Sequence, residues 1–295
     1  MNRPRMEIGR CASASVFLLG ALLVIDSLHF VFARLLLAHI SPRVSALYVL
    51  GIATLEVGLF GLARRSLHLR VWRQHWAFFL AIGFLVAANT NINYEAVAWI
   101  DPGTASLLGK TSILFSLGLS LFWLREKLSL GQWVGALVAL VGAFVIAFQP
   151  GDYLRLGSLL ILVSAFMYAL HAAIVKRYGE PIDFVDFFFF RLLSTVGFLF
   201  LFALGRGGLV WPSPTAWTWI LFVGTVSVVL GRTLYYLALR WLKMSVHSVV
   251  LTLTPVATIL WSWVLFDVIP AWQQLAGGAA VILGVMLVTA SRKQH

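Results

Sequence analysis

The chain has 295 residues, 61% of them hydrophobic and 11% charged, with a mean hydropathy of +0.93 and a formal charge of +11. Soluble domains carry about 45–50% apolar and about 25% charged residues. A soluble fold of this length has too little interior to hide the excess, so lipid must solvate it, and an ordinary water-soluble enzyme or nucleic-acid-binding module is excluded.

The apolar residues fall in runs of about 20, the length at which a helix crosses roughly 30 Å of hydrocarbon. In chain order they predict ten spans: 14–37, 44–63, 75–98, 103–123, 131–148, 156–175, 184–204, 215–239, 245–266 and 271–290. The first run is too long for a signal-peptide core and contains Asp26, His29 and Arg34, so it reads as a transmembrane helix rather than a cleaved leader. The lone Cys11 excludes an internal disulfide.

Of the 22 Lys and Arg residues, fifteen lie in the tails and one alternate set of loops. The opposite set holds only Arg43, Arg155 and Arg206, while Arg34, Lys110, Arg191 and Arg232 fall inside spans. Positive residues stay on the cytoplasmic side. The split therefore predicts an inner-membrane protein with both termini cytoplasmic and an even number of spans. Trp and Tyr gather near several span ends, as an interfacial belt does.

Intramembrane polar groups are expensive and by default mark function. In span one, Asp26 and His29 sit a turn apart on one face. They suit a coupling proton, a cationic group or a structural pair; proton or substrate handling is favoured over metal, and no metal site is expected. Span three carries Asn89, Asn91, Asn93, Tyr94 and Glu95, which cannot face lipid and are expected to line a cavity or meet neighbouring helices. Lys110 and Thr111 follow in span four, with Lys110 a pore-facing counterweight to Asp26 or Glu95. Glu56 in span two reads as structural. In span six, Tyr168 and His171 share a face. Arg191 in span seven reads as a pore residue or an interfacial anchor, and Arg232, Tyr235 and Tyr236 in span eight as pore-facing.

Sliding the chain by 142 residues pairs His29 with His171, Tyr94 with Tyr236, Trp99 with Trp241, Gly135 with Gly277 and Gly142 with Gly284. The best local match sets NYEAVAWI at 93–100 against YYLALRWL at 235–242. Five spans per repeat is an odd number, so the second repeat must be inverted. Inverted repeats are a recurring construction of secondary transporters, with the substrate at the midplane between the halves. The expected fold is therefore all-α, ten transmembrane helices in two inverted five-helix repeats at 14–148 and 155–290.

The stretch SILFSLGLSLFWLRE at 112–126, followed by Gly135 and Gly142 in an Ala/Val-rich helix, resembles the end of an EamA domain. Thr254, Pro255, Asp267, Gly277 and Gly284 repeat the pattern more weakly. Two such units resemble the plan of the drug/metabolite transporter superfamily. One departure is that Gly109, Lys110, Thr111 and Ser112 stand where the family carries a fourth-helix proline, which Pro255 supplies only in the second half. The resemblance implies a transporter, with a small-molecule substrate and the bilayer as partners and no cofactor. The mixed-sign pocket suits a small polar metabolite such as an amino acid, moved outward or exchanged, with protons a candidate coupling partner. The alternative is a channel or scaffold. An enzyme is not expected, because no His-Glu-x-x-His helix or Gly-x-Ser-x-Gly elbow is present. Monomer and homodimer stay open, and no nucleic-acid partner is expected.

Overall fold

A computed structural model describes residues 18, 20–123, 129–147, 156–178, 182–207, 209–235 and 253–291. Among them the helices are α1 (20–27), α2 (His29–Leu36), α3 (Pro42–Ala63), α4 (Leu69–Ala96), α5 (Pro102–Gly109), α6 (Ser112–Phe122), α7 (Leu130–Ala147), α8 (Leu156–Tyr178), α9 (Phe184–Gly205), α10 (Pro214–Val223), α11 (Thr254–Phe266) and α12 (Trp272–Ser291). A π-helical stretch, Gly224–Leu230, continues α10 and keeps the segment helical to Tyr235. Val44–Ala63, Leu69–Ala96, Leu156–Val175, Phe184–Gly205 and Pro214–Tyr235 are long and apolar enough to cross a bilayer unaided.

Helix starts follow local chemistry. Asp101 accepts from the Thr104 amide (2.8 Å) and Pro102 opens α5. Ser213 accepts from the Ala216 amide (3.2 Å) before Pro214. A proline in the first turn gives up no intrahelical bond, and an N-cap oxygen satisfies an orphan amide. Ser129 and Gln132 form a capping box at α7: the Gln132 side chain accepts from the Ser129 amide (2.8 Å) and the Ser129 hydroxyl from the Gln132 amide (3.3 Å). At α12, 142 residues on, Gln274 accepts from the Ala271 amide (2.7 Å). Alanine replaces the serine there, so half of the box survives.

The same offset recurs in element boundaries. α3 spans 42–63 and α9 spans 184–205; α6 opens at 112 and α11 at 254; α7 opens at 130 and α12 at 272. The two repeats thus fold alike. Across their pseudo-twofold axis α3 packs on α9, α5 on α11, and α7 on α12.

The α7–α12 crossing shows the axis in atomic detail. A methyl placed on Gly142 would stand 2.5 Å from the Gly277 carbonyl oxygen and 2.7 Å from the Val281 amide nitrogen. Its mate is reproduced: a methyl on Gly284 would stand 2.5 Å from the Gly135 carbonyl oxygen and 2.5 Å from the Ala139 amide nitrogen. Only glycine lets two backbones approach so closely, a recurrent way of joining helices where lipid removes the hydrophobic incentive.

The expected spans are helical over their described residues, spans eight and nine being described only to Tyr235 and from Leu253, with three corrections. Span one is not one helix, since Leu28 forms a turn between α1 and α2 (φ −81°, ψ −7°). Span four breaks between α5 and α6 at Lys110 (φ −68°, ψ −15°) and Thr111 (φ −63°, ψ −16°). Span three begins earlier than its apolar run, because a short basic helical segment precedes the non-helical His75 (φ −122°, ψ 25°) before the apolar part of α4.

Candidate functional site

The interruptions share one layer. Leu28 follows Asp26 and Ser27 and precedes His29, and the second break contains Lys110 and Thr111. The π-helical stretch delivers Arg232, and α11 opens after a turn at Leu253 (φ −81°, ψ −10°), the register mate of Thr111. Discontinuous helices free backbone groups that only a cavity or polar neighbours can satisfy, and in transporters they mark the midplane site. Here the polar neighbours are visible. Thr258 donates to the Ser27 carbonyl at 2.8 Å and lies 3.3 Å from the Ser106 hydroxyl, while Thr111 caps the end of α5 by donating to the Leu108 carbonyl (2.7 Å).

Asp26 accepts from the Thr254 hydroxyl at 3.1 Å. One residue on, Ser27 accepts from the Trp261 indole at 3.0 Å. The His29 ring meets Tyr94 edge-on, with centroids 6.3 Å apart. His29 lies within electrostatic range of Asp26 and Arg232, and Lys110 within range of Asp26. Buried His171 lies 6.0 Å from the Tyr168 ring, centroid to centroid, and within range of Arg191 and Arg232. Direct contacts therefore join spans one, three and nine at Asp26, His29, Tyr94 and Thr254, and Lys110, His171 and Arg232 are linked to these groups through electrostatics.

Other candidates are placed elsewhere. Asn89 donates to the Ser164 carbonyl (2.7 Å) and hydroxyl (2.8 Å), and Asn93 accepts from the same hydroxyl (2.6 Å). These three form a polar seam between α4 and α8. Ser164→Ala leaves two buried amides short of a partner, a loss of about 1–3 kcal/mol; a lowered unfolding temperature in detergent is the expected reading. Asn91 donates to Glu95 (3.0 Å), which is paired with Arg206. The two charged side chains are 28% and 47% exposed. Glu95→Gln, which keeps the acceptor for Asn91, should shift stability by less than about 1 kcal/mol. Glu56 accepts from Thr225 (2.6 Å) and joins α3 to the π-helical stretch. Tyr235 packs near Leu18 and Leu22, and Tyr236 lies outside the described residues.

Sequence reasoning missed Ser27, Thr258 and Trp261, and took Thr254 only as part of the repeat pattern. A tryptophan deep in an apolar span was the available signal, because its buried N–H needs an acceptor. Arg191 is buried, 8% exposed. At one mouth, Arg34, which donates to the Val97 carbonyl, lines an open hollow of about 530 Å³ together with His39, Trp219 and Phe266.

A bundle of broken helices around a charged layer, doubled by an internal repeat, is the architecture of a membrane transporter. The chain matches the EamA-like transporter family over residues 13–148 and again over 155–290, and belongs to it. It is thus a transporter of the drug/metabolite superfamily rather than an enzyme. It is 28% identical over 249 residues to "Uncharacterized transporter YdfC" of Bacillus subtilis (strain 168), covering 83% of this chain and 81% of that protein. A crystal structure at 18% identity shares the fold, with a TM-score of 0.65 over 96% of this chain and 99% of the other.

Proposed function

We propose that this protein is a secondary transporter that exports or exchanges a small polar metabolite such as an amino acid, by rocking of one inverted repeat against the other. The observation that supports this most is the meeting of the helix breaks in spans one and four with the turn that opens α11, around Asp26, Lys110 and Thr254. A break lets each half of a span move separately, and it presents backbone and side-chain polar groups to a solute at the midplane. One carboxylate facing several cations, with hydroxyl and aromatic neighbours, fits a solute that carries both signs of charge.

Purified protein in liposomes should show saturable counterflow of at least one member of a panel of amino acids, amines and organic acids. Absence of flux across the panel removes the reading, and conductance without saturation replaces it with a channel. Asp26 and His29 make protons the candidate coupling ion; an imposed pH gradient should then drive accumulation, and indifference to it leaves exchange. The fifteen-to-three division of basic residues supports an inner-membrane location with both termini cytoplasmic. Reporter fusions at the two ends test that orientation, and cross-linking in liposomes decides between monomer and homodimer.

A further inference from the structure

The hollow of about 530 Å³ lies at the end of the bundle where α3 begins, opposite the basic loop that follows its last turn. Its wall is drawn largely from the spans that meet around Asp26. Arg34 lies on α2 and His39 just beyond it, Ala98 follows α4, Phe266 closes α11, and Trp219 lies on α10. Deeper in the bundle the same spans one, three and nine carry Asp26, Tyr94 and Thr254. Arg34 stands eight residues beyond Asp26, about 12 Å of helix rise. The hollow is therefore a separate place along the same line of helices.

Arg34 is the permanently charged group in this lining. Its Nη1 donates to the Val97 carbonyl where α4 ends, a favourable position for a cation. That bond uses one of several N–H donors and holds the charge in place without neutralising it. Among the described residues Arg34 is ion-paired with no carboxylate, and the acidic groups nearby are engaged elsewhere. Glu95 pairs with Arg206 and accepts from Asn91, and Asp101 accepts from the amide and hydroxyl of Thr104. Asp267, next after Phe266, is exposed and outside the lining.

The rest of the wall is apolar and aromatic. The His39 ring stacks on Trp219, with centroids 5.8 Å apart and planes 15° apart, and Phe222 meets the same indole edge-on at 6.2 Å. A fixed guanidinium offers a carboxylate paired, charge-assisted N–H bonds. A flat ring wall beside it suits an apolar body on the same molecule.

We propose that this hollow is a vestibule subsite for organic acids, in which Arg34 takes the carboxylate and the Trp219 wall takes the apolar body. As a stage of a transport path the subsite rests on the reading above; as a binding site it stands on the hollow alone.

Cys11 is the chain's single cysteine, so Ala38→Cys in a Cys11→Ser background places one thiol in the lining, at an exposed position. In non-ionic detergent a methanethiosulfonate bearing a sulfonate should label it about tenfold faster than one bearing a trimethylammonium group, each rate taken relative to the same reagent with a free thiol. Arg34→Gln, which keeps a donor for the Val97 carbonyl, should erase that preference, and Arg34→Lys should retain it. Thr215→Cys, exposed at the start of α10 and outside the lining, should show none. Benzoate should slow labelling of Ala38→Cys by a neutral methanethiosulfonate, and benzyl alcohol at the same concentration should not. If Arg34→Gln fails to insert, Trp219→Ala should lift the benzoate protection while the charge preference stays. The proposal is overturned if the cationic reagent labels Ala38→Cys as fast, if the preference survives Arg34→Gln, or if benzoate protects no better than benzyl alcohol. These rates need no flux: a protein that labels as expected but transports nothing keeps the subsite and loses the transporter reading, and the converse result does the opposite.

Discussion

Gly142→Leu is expected to be the most damaging single substitution outside the charged layer, leaving little folded, monodisperse protein in mild detergent. The first added carbon would stand 2.5 Å from the Gly277 carbonyl oxygen, 2.7 Å from the Val281 amide nitrogen and 2.9 Å from the Ala280 Cβ. Two of these neighbours are backbone atoms of a helix that cannot yield without moving as a whole. Overpacking a core typically costs about 1–3 kcal/mol, and leucine against an immobile backbone belongs at or beyond the upper end. For a chain of this size that is a fall of roughly 10 °C in unfolding temperature, or loss of insertion. Gly142→Ala should fall between, and Leu140→Ala on the exposed face of α7 should change little, Leu140 being 60% exposed. Fluorescence-detected chromatography after graded heating reads all three. Equal behaviour of Gly142→Leu and Leu140→Ala would mean that the crossing has slack that these distances deny.

Asp26→Asn is expected to abolish flux while leaving insertion and unfolding temperature near those of the unchanged protein. Asparagine keeps the size of the side chain and an oxygen for the Thr254 hydroxyl, which lies 3.1 Å from Oδ2. What it removes is the negative charge that faces Lys110 and His29. A loss of about 3 kcal/mol from the rate-limiting step of the transport cycle would slow flux by at least about 100-fold. Counterflow in liposomes made with equal amounts of inserted protein measures it. Full flux in the variant would reduce Asp26 to a hydrogen-bond acceptor.

The spans and the repeat could be read in advance because both rest on composition and spacing. Twenty-residue apolar runs have no alternative outside lipid, and matched glycines survive at a fixed offset because only they permit the α7–α12 approach. The breaks were less visible. No glycine or proline marks Leu28, whose turn is supported from another helix by Thr258 bonding to the Ser27 carbonyl. The π-helical stretch is equally unannounced within an apolar run. For span three, the shared face of Asn89 and Asn93 follows from their spacing of four, but Ser164 as their common partner does not, since it lies 75 residues from one and 71 from the other. Arg191 was ambiguous because a basic residue after a phenylalanine run suits an interface as well as an interior, and only its surroundings on α9 decide.

The reciprocity of the α7–α12 crossing bears on ancestry and assembly. The Gly142 contacts with the Gly277 carbonyl and Val281 amide have mates, at Gly284 with Gly135 and Ala139, in which the partners have exchanged repeats, which is the signature of an isologous interface between identical subunits. Nothing in that seam requires the two repeats to be joined. A single five-helix protein, inserted in both orientations, would form the same crossing with itself. Severing the chain between residues 148 and 155 and co-expressing the two pieces should therefore restore flux by fragment complementation. A seam substitution such as Gly142→Leu in one piece should prevent it.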